Sequence, residues 1–242
     1  MTASNLSTAI PARQRLIVAV DVPDAGAARA LVEELGDAVE FYKIGLELAM
    51  SGSYFELMDW LLTRGKRVFA DMKFYDVPAT VSAAVRQISD RGASFLTVHG
   101  DRAIMEAAAA QKGETLQVLA VTVLTSLDKR DLEQMGINED VQALVLRRAH
   151  QAVAAGCDGI IASGHEAGEL REALGPGPLI VTPGIRPADN TSQDDQKRIV
   201  TPALAIERGA DYLVVGRPIR TAPNPRGAAE SIQAEIAAAL AK

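Results

Sequence analysis

Residues 67–92, RVFADMKFYDVPATVSAAVRQISDRG, contain one complete strand–helix unit. An apolar run at residues 68–70 opens the unit, and charged side chains follow it at once. Pro78 suits a first helical turn, and Asp76 can cap it. One apolar stripe at helical spacing follows, and Gly92 is a stop signal. The stripe consists of Val77, Val81, Ala84, Val85 and Ile88. This stretch predicts a buried strand that leads into an amphipathic helix.

The same unit recurs along the whole chain, at intervals of roughly 25 to 30 residues. The predicted strands are residues 16–20, 39–42, 68–70, 95–98, 116–123, 159–161, 179–182 and 212–215. Besides the helix after Asp76, the predicted helices are residues 25–35, 54–63, 103–111, 141–155, 166–173, 202–208 and 227–240. Eight strand–helix units predict an α/β fold, a single (β/α)8 TIM barrel. We expect residues 1–14 to be an N-terminal extension and residues 15–242 to be the catalytic domain.

A doubly wound sheet of the Rossmann type is the alternative fold. It requires a GxGxxG turn after the first strand, and the chain instead reads AVDVPDAGAA at residues 19–28. The composition, 48% hydrophobic but only 4% aromatic, suits the aliphatic core of a parallel sheet covered by helices.

Charge and cysteine content restrict the function classes. The formal net charge of −6 argues against a general nucleic-acid binder, which needs a basic surface. Cys157 is the single cysteine of the sequence, so we expect a small buried side chain and no intrachain disulfide. No stretch approaches the about 20 apolar residues of a membrane span, and residues 1–15 have no secretory pattern. We therefore expect no membrane partner and a cytoplasmic protein.

The residues that follow the predicted strands carry the chemistry. In a TIM barrel the active site lies at the carboxyl ends of the strands. In chain order these ends supply Asp21, Lys43, Asp71 with Lys73, His99, Thr125 with Ser126, Ser163, Arg186, and Gly216 with Arg217. The three histidines, His99, His150 and His165, have no metal-ligand spacing. Because polar side chains end so many strands, we predict one shared site. Because the histidines lack metal-ligand spacing, we expect no metal in it.

The third and eighth strands are the most informative. Asp71 and Lys73 are two apart on an extended segment, so their side chains point to the same side, and Asp76 lies just beyond. Such close opposite charges perturb one another's pKa values. At the eighth strand, Gly216 exposes a backbone N–H group and Arg217 can bind a phosphate. The alternative interpretations are a structural ion pair and a surface arginine.

Several segments together resemble one enzyme family. DMKFYDVPAT at residues 71–80 is similar to the D-x-K-x-x-D signature of orotidine 5'-phosphate decarboxylases. AVD, YKIG, VTVLTS, VTPGIRP and VVGRPI, spread over residues 19–219, also resemble segments of that family. Related sugar-phosphate lyases share the D-x-K-x-x-D signature, but the ordered combination with TPGIRP and GRPI is specific. The resemblance implies a cofactor-free lyase that converts orotidine 5'-phosphate to uridine 5'-phosphate in pyrimidine biosynthesis.

The resemblance also implies residue roles. Lys73 donates the proton to C6 of the pyrimidine, Asp71 lies near the departing carboxylate, and Lys43 completes the charged network. Asp76 and Thr80 reach the active site of the partner subunit in a homodimer. The remaining roles are contacts with the substrate. They fall on Asp21 at the ribose, Thr125 and Ser126 near the pyrimidine, and Arg186, Gln196, Gly216 and Arg217 at the phosphate.

Two other functions remain open from the residues alone. A metal-dependent sugar-phosphate decarboxylase or aldolase could use the same scaffold, but it would need further acidic ligands at the strand ends. A non-catalytic protein that binds a phosphate ligand is the other alternative. The cluster of Asp71, Lys73 and Asp76 argues against it. Burying charged groups destabilises a fold, and binding a ligand does not by itself account for such a cluster.

Overall fold

The strands form a closed parallel barrel. The computed structural model describes residues 10–187 and 199–242, in which each strand pairs with the next and the eighth pairs with the first. The strands are β1 Leu16–Ala19, β2 Phe41–Gly45, β3 Arg67–Phe74, β4 Phe95–His99, β5 Gln117–Val121, β6 Gly159–Ile161, β7 Leu179–Thr182 and β8 Tyr212–Val215. The TIM-barrel prediction is confirmed. The doubly wound alternative is wrong, because this sheet has no edge strand.

Helices surround the barrel. They are α1 Ala25–Leu35, α2 Leu46–Met50, α3 Tyr54–Thr63, α4 Pro78–Asp90, α5 Arg102–Ala109, α6 Lys129–Gln134, α7 Val141–Ala154, α8 Ala167–Leu174, α9 Pro202–Glu207, α10 Arg217–Arg220 and α11 Pro225–Leu240. The predicted helices are present with small shifts at their ends. Helices α2, α6 and α10 were not predicted, because with four to six residues they are too short to show an amphipathic period. No helix in the described part of the chain is both long and apolar enough to cross a bilayer.

Helix α4 differs from its predicted form in two details. Val81, Val85 and Ile88 are buried as predicted, but Val77 precedes the helix and is 62% exposed. Val77 occupies the N-cap position, and no side chain caps the helix. The prediction that Asp76 caps α4 is therefore wrong: its Oδ1 accepts a hydrogen bond from the adjacent N–H of Val77.

The second strand begins and ends later than predicted. We expected residues 39–42, whereas β2 covers Phe41–Gly45, so Lys43 lies inside the strand and not beyond it. Val39 is buried without belonging to the strand, because it follows a short 3-10 helix at Gly36–Ala38. Apolar character alone cannot distinguish a buried turn residue from a strand residue.

The amino ends of the strands close one end of the barrel. Phe41, Phe95 and Tyr212 are the first residues of β2, β4 and β8, and all three are buried inside the barrel. The ring centroids of Phe41 and Phe95 are 4.9 Å apart, and those of Phe95 and Tyr212 are 5.0 Å apart. The Arg67 guanidinium carbon lies 4.1 Å from the Phe41 ring centroid, and Ile10 packs on the same cluster. This aromatic layer leaves the opposite end of the barrel for the site.

Candidate active site

A cavity of about 300 Å³ lies at the carboxyl ends of the strands. Most residues predicted for the site line it: Asp21, Lys43, Asp71, Lys73, Thr125, Ser126, Arg186, Gly216 and Arg217. Its apolar floor is formed by Ala19, Phe69, Val121, Val123, Ile161 and Val214. The cavity thus combines an apolar floor, formed by the barrel interior, with a charged rim.

Alternating charges cross the cavity. Lys43 Nζ lies 3.1 Å from Asp21 Oδ1 and 3.2 Å from Asp71 Oδ2. The other carboxylate oxygen of Asp71, Oδ1, lies 2.8 Å from Lys73 Nζ. Neighbouring strands place these groups, because Lys43 lies within β2, Asp71 lies within the adjacent β3, and Asp21 follows β1 on the other side of β2. The four side chains form one continuous charge network.

Burial and opposite charge act against each other in this network. Burial by itself would raise the pKa of Asp71, but Lys43, Lys73 and a hydrogen bond from Thr97 outweigh it and hold that pKa at about 2. Burial would likewise lower the pKa of Lys43, but Asp71 and Asp21 raise it above its ordinary value. Asp71 is therefore a carboxylate and Lys43 an ammonium at neutral pH.

Lys73 has an unusual backbone conformation. Its φ of +47° lies in the left-handed region, and among the described residues it is the one non-glycine residue with a positive φ. The pairing of β3 with β4 shifts register between Ala70 and Phe74 at the same place. A non-glycine residue in this region stores about 1–3 kcal/mol, and such strain is concentrated at functional sites. The expected proximity of Asp71 and Lys73 occurs, with Oδ1 and Nζ 2.8 Å apart, in a segment where the strand is irregular.

Three arginines line the cavity in the segments that follow β7 and β8. Arg186 is 7% exposed, and its backbone N–H donates to the carbonyl of Val200. Arg217 begins α10, and Arg220 lies one turn further on the same helix. Arg220 was not among the predicted site residues, because the four-residue α10 gives no helical period in the sequence. The buried Nε of Arg220 has no hydrogen-bond partner among residues 10–187 and 199–242.

The charged groups that line the cavity are unequal in number. Among the described residues that line it, five are cationic (Lys43, Lys73, Arg186, Arg217 and Arg220), and two are anionic (Asp21 and Asp71). A cleft with an excess of one charge attracts ligands of the opposite charge. The cavity is therefore suited to a small molecule with several negative charges, in a protein whose formal net charge is itself −6.

Among the described residues that were predicted for the strand ends or the site, four do not line this cavity: Asp76, Thr80, His99 and Ser163. Asp76 and Thr80 are exposed at the start of α4, and Asp76 forms no ion pair within the described ranges. Within its own chain, Asp76 therefore forms no contact with the network of Asp71 and Lys73 among the described residues, and its Oδ1 accepts the N–H of Val77 instead. Gln196 lies outside the described residues. The reach of Asp76 and Thr80 into a partner's site stays a prediction.

Histidine and cysteine stand apart from the network. His99 ends β4 and stacks edge-on against Tyr75, with ring centroids 5.6 Å apart. Burial and the neighbouring cations Arg148 and Lys73 lower the pKa of His99. Cys157 is buried as predicted, and burial raises the pKa of its thiol to about 12. Among the described residues, no group of three or more His, Cys, Asp or Glu side chains could hold a metal ion.

Fold and cavity together define a TIM-barrel protein whose cavity contains an ion-paired lysine–aspartate network. The sequence model of the orotidine 5'-phosphate decarboxylase / HUMPS family matches residues 14–232. The chain belongs to this family.

Individual members of the family are similar over almost their full length. The orotidine 5'-phosphate decarboxylase of Methylococcus capsulatus is 57% identical over 227 residues, which cover 94% of this chain and 93% of the relative. The Stenotrophomonas maltophilia enzyme is 53% identical, with 94% and 95% covered. The crystal structure of the Lactobacillus acidophilus enzyme matches with a TM-score of 0.81 at 33% identity, covering 92% of this chain and 99% of that one.

Proposed function

We infer that this enzyme decarboxylates orotidine 5'-phosphate to uridine 5'-phosphate, a step of pyrimidine biosynthesis. The observation that carries this function is the network of Asp21, Lys43, Asp71 and Lys73 beside an arginine-rich wall, in a chain 57% identical to a decarboxylase of that name. The substrate has a phosphate and a carboxylate, so its negative charges match the cationic excess of the cavity. Neither the sugar-phosphate lyase nor the binding protein is favoured by this combination.

The proposed chemistry requires only a proton donor and fixed charges. The bond between C6 and the carboxylate breaks, CO2 leaves, and the electron pair remains on C6. The pyrimidine ring delocalises this in-plane pair poorly, so the protein must stabilise it. The ammonium of Lys73, held 2.8 Å from Asp71, supplies a preorganised positive charge and then the proton that completes the product.

Asp71 and Lys43 prepare this arrangement. With its pKa held at about 2, Asp71 stays negative throughout the physiological range and lies near the departing carboxylate in our proposal. Lys43 bridges Asp71 and Asp21, which leaves the second carboxylate oxygen of Asp71 for Lys73. Asp21 then contacts the ribose, and Thr125 and Ser126 bind near the pyrimidine.

A direct assay tests the function. Purified enzyme is mixed with orotidine 5'-phosphate, and the loss of substrate absorbance and the release of CO2 are followed together. We expect equal rates for both signals and one uridine 5'-phosphate formed per CO2. Release of CO2 from a sugar phosphate, with none from the nucleotide, would instead support the lyase alternative.

Arg217 is expected to act through the phosphate. In our proposal the phosphate is bound by Arg186, Gly216 and Arg217, together with Gln196. Replacing Arg217 with alanine removes a charge-assisted contact, so kcat/KM for the nucleotide should fall by roughly 10- to 100-fold, since such bonds contribute about 1.5–3 kcal/mol. Turnover of orotidine, which has no phosphate, should change less than about threefold. Equal losses for nucleotide and nucleoside would show that Arg217 does not bind the phosphate.

Removal of metal ions should leave the rate unchanged. The positive charge that the reaction needs is already supplied by Lys73 and Lys43, so we propose that the enzyme uses neither a metal nor an organic cofactor. Dialysis against a chelator, followed by the decarboxylation assay, is the measurement. A loss of activity that Mg²⁺ restores would contradict the proposal and favour the metal-dependent alternative.

We further propose a homodimer in which each chain completes its partner's site. Asp76 and Thr80 are exposed at the start of α4, where they can reach a second chain. Large apolar side chains are exposed in the segments after β2 and β3, and their exposed fractions are 55% for Leu46, 79% for Met50, 69% for Tyr75 and 62% for Val77. Large exposed apolar side chains on two successive segments are a feature of protein–protein contact surfaces. The proposed location is the cytoplasm, whose reducing conditions suit the free thiol of Cys157.

A further inference from the structure

A buried threonine links the two central groups of the charge network. Thr97 lies on β4 and is 0% exposed. Its hydroxyl oxygen accepts a hydrogen bond from the backbone N–H of Lys73 at 3.0 Å. The same hydroxyl donates to Asp71 Oδ1 at 2.8 Å, and that oxygen also accepts from Lys73 Nζ at 2.8 Å. One hydroxyl thus contacts both the backbone of the lysine and the carboxylate that holds its ammonium.

The contact occurs where the sheet is irregular. The register of β3 against β4 shifts between Ala70 and Phe74, and Lys73 within this interval has a φ of +47°. A backbone N–H without a partner in the protein interior destabilises the fold by about 1–3 kcal/mol, so a side chain that satisfies it stabilises the irregular conformation. Thr97 supplies this partner. The hydroxyl proton is then free to bond the Asp71 carboxylate.

We infer that Thr97 is a positioning residue for the decarboxylation, and that its hydroxyl fixes the Lys73 backbone and the Asp71 carboxylate in the arrangement from which Lys73 protonates C6. The inference rests on the proposed function. Thr97 does not line the cavity, and it acts through Lys73 and Asp71. Its loss should therefore lower the rate of the chemical step while substrate binding is largely kept.

Three variants separate positioning from general stability. Thr97→Val keeps the shape of the side chain and removes both hydrogen bonds. Thr97→Ser keeps the hydroxyl and loses one methyl group. Thr122→Val is the matched control: Thr122 is a 1% exposed residue directly after β5 whose hydroxyl donates to the carbonyl of Ile161 at 2.9 Å, and it does not line the cavity.

The readout is the separation of kcat from binding. For Thr97→Val we expect kcat to fall by about 100-fold, the effect of a catalytic group misplaced by about 1 Å. KM for orotidine 5'-phosphate and the dissociation constant of uridine 5'-phosphate should each change less than about threefold. Thr97→Ser should recover kcat to within about tenfold of the wild type. Thr122→Val should keep wild-type kcat, even if its melting temperature falls as much as that of Thr97→Val.

Each outcome decides the matter. An inactive wild type would overturn the proposed function and this inference with it. With an active wild type, this inference alone is overturned if Thr97→Val keeps kcat within twofold, or if Thr122→Val loses as much kcat. It is likewise overturned if KM rises while kcat stays constant. Where Thr97→Val does not fold, Thr97→Cys, with its weak thiol donor, must show a kcat below that of Thr97→Ser at unchanged KM.

Discussion

Replacing Lys73 with alanine is expected to lower kcat for decarboxylation by about 10⁴-fold or more, while the fold is kept. A positioned proton donor contributes roughly 10²- to 10⁴-fold, and a preorganised charge at the developing anion a further 10²- to 10³-fold. Both contributions come from the same ammonium in this site. Alanine has a Cβ atom like lysine, so the backbone strain at the φ of +47° is nearly the same in both proteins.

The control for Lys73→Ala is a second lysine–aspartate pair. Lys112 Nζ lies 2.7 Å from Asp158 Oδ1, outside the cavity, so Lys112→Ala removes a comparable ion pair without touching the site. Circular dichroism and thermal unfolding establish that both variants fold, and steady-state assays measure kcat. Lys112→Ala should retain wild-type turnover. A folded Lys73→Ala protein that kept a tenth of the wild-type rate would refute the mechanism.

Mixing two inactive variants should restore about a quarter of wild-type activity. The variants are Lys73→Ala and Asp76→Ala, and the expectation follows from a two-fold dimer in which Asp76 serves the partner's site. In a mixed dimer one site collects both lesions and the other collects neither. Random subunit exchange makes about half of the dimers mixed, each with one intact site of two. The decarboxylation assay after exchange measures the recovered fraction.

A second pair of variants is the control for this experiment. Lys73 and Asp71 line the cavity of one and the same chain, with Nζ of the lysine 2.8 Å from Oδ1 of the aspartate. A mixture of Lys73→Ala with Asp71→Asn should therefore stay inactive, because every site of the mixed dimer retains one lesion. Subunit exchange is followed by native mass spectrometry. If the mixture of Lys73→Ala with Asp76→Ala exchanges subunits and remains as inactive as this control mixture, the shared site is ruled out.

The barrel could be predicted from the sequence because each of its units repeats the same local pattern. β3 and α4, for example, are encoded by an apolar run, a proline at the first helical position, and a stripe ending in Ile88. The polar residues at the strand ends followed from the fold, since a parallel barrel brings all carboxyl ends together. Local pattern and topology were therefore sufficient to place Asp21, Lys43, Asp71 and Lys73 around one cavity.

Features that depend on pairing between strands could not be predicted in this way. The register shift opposite β4 and the left-handed Lys73 arise from contacts between distant segments, and a lysine in a strand pattern gives no sign of them. Thr97 was indistinguishable from any β-branched strand residue for the same reason. Arg220 was missed because α10, with four residues, is too short to be recognised from periodicity.

The aromatic layer closes the amino end of the barrel, so the substrate reaches the cavity from the carboxyl ends of the strands. Phe41, Phe95 and Tyr212 fill the barrel there, and the Arg67 guanidinium lies over the Phe41 ring, so the described structure offers no passage through the floor. Substrate enters, and both products leave, past the same charged rim. In our proposal the departing carboxylate lies near Asp71, so CO2 is released inside the cavity while the nucleotide is still bound. CO2 therefore leaves either past the bound nucleotide or after it. The substrate, uridine 5'-phosphate and CO2 all pass the same end of the barrel.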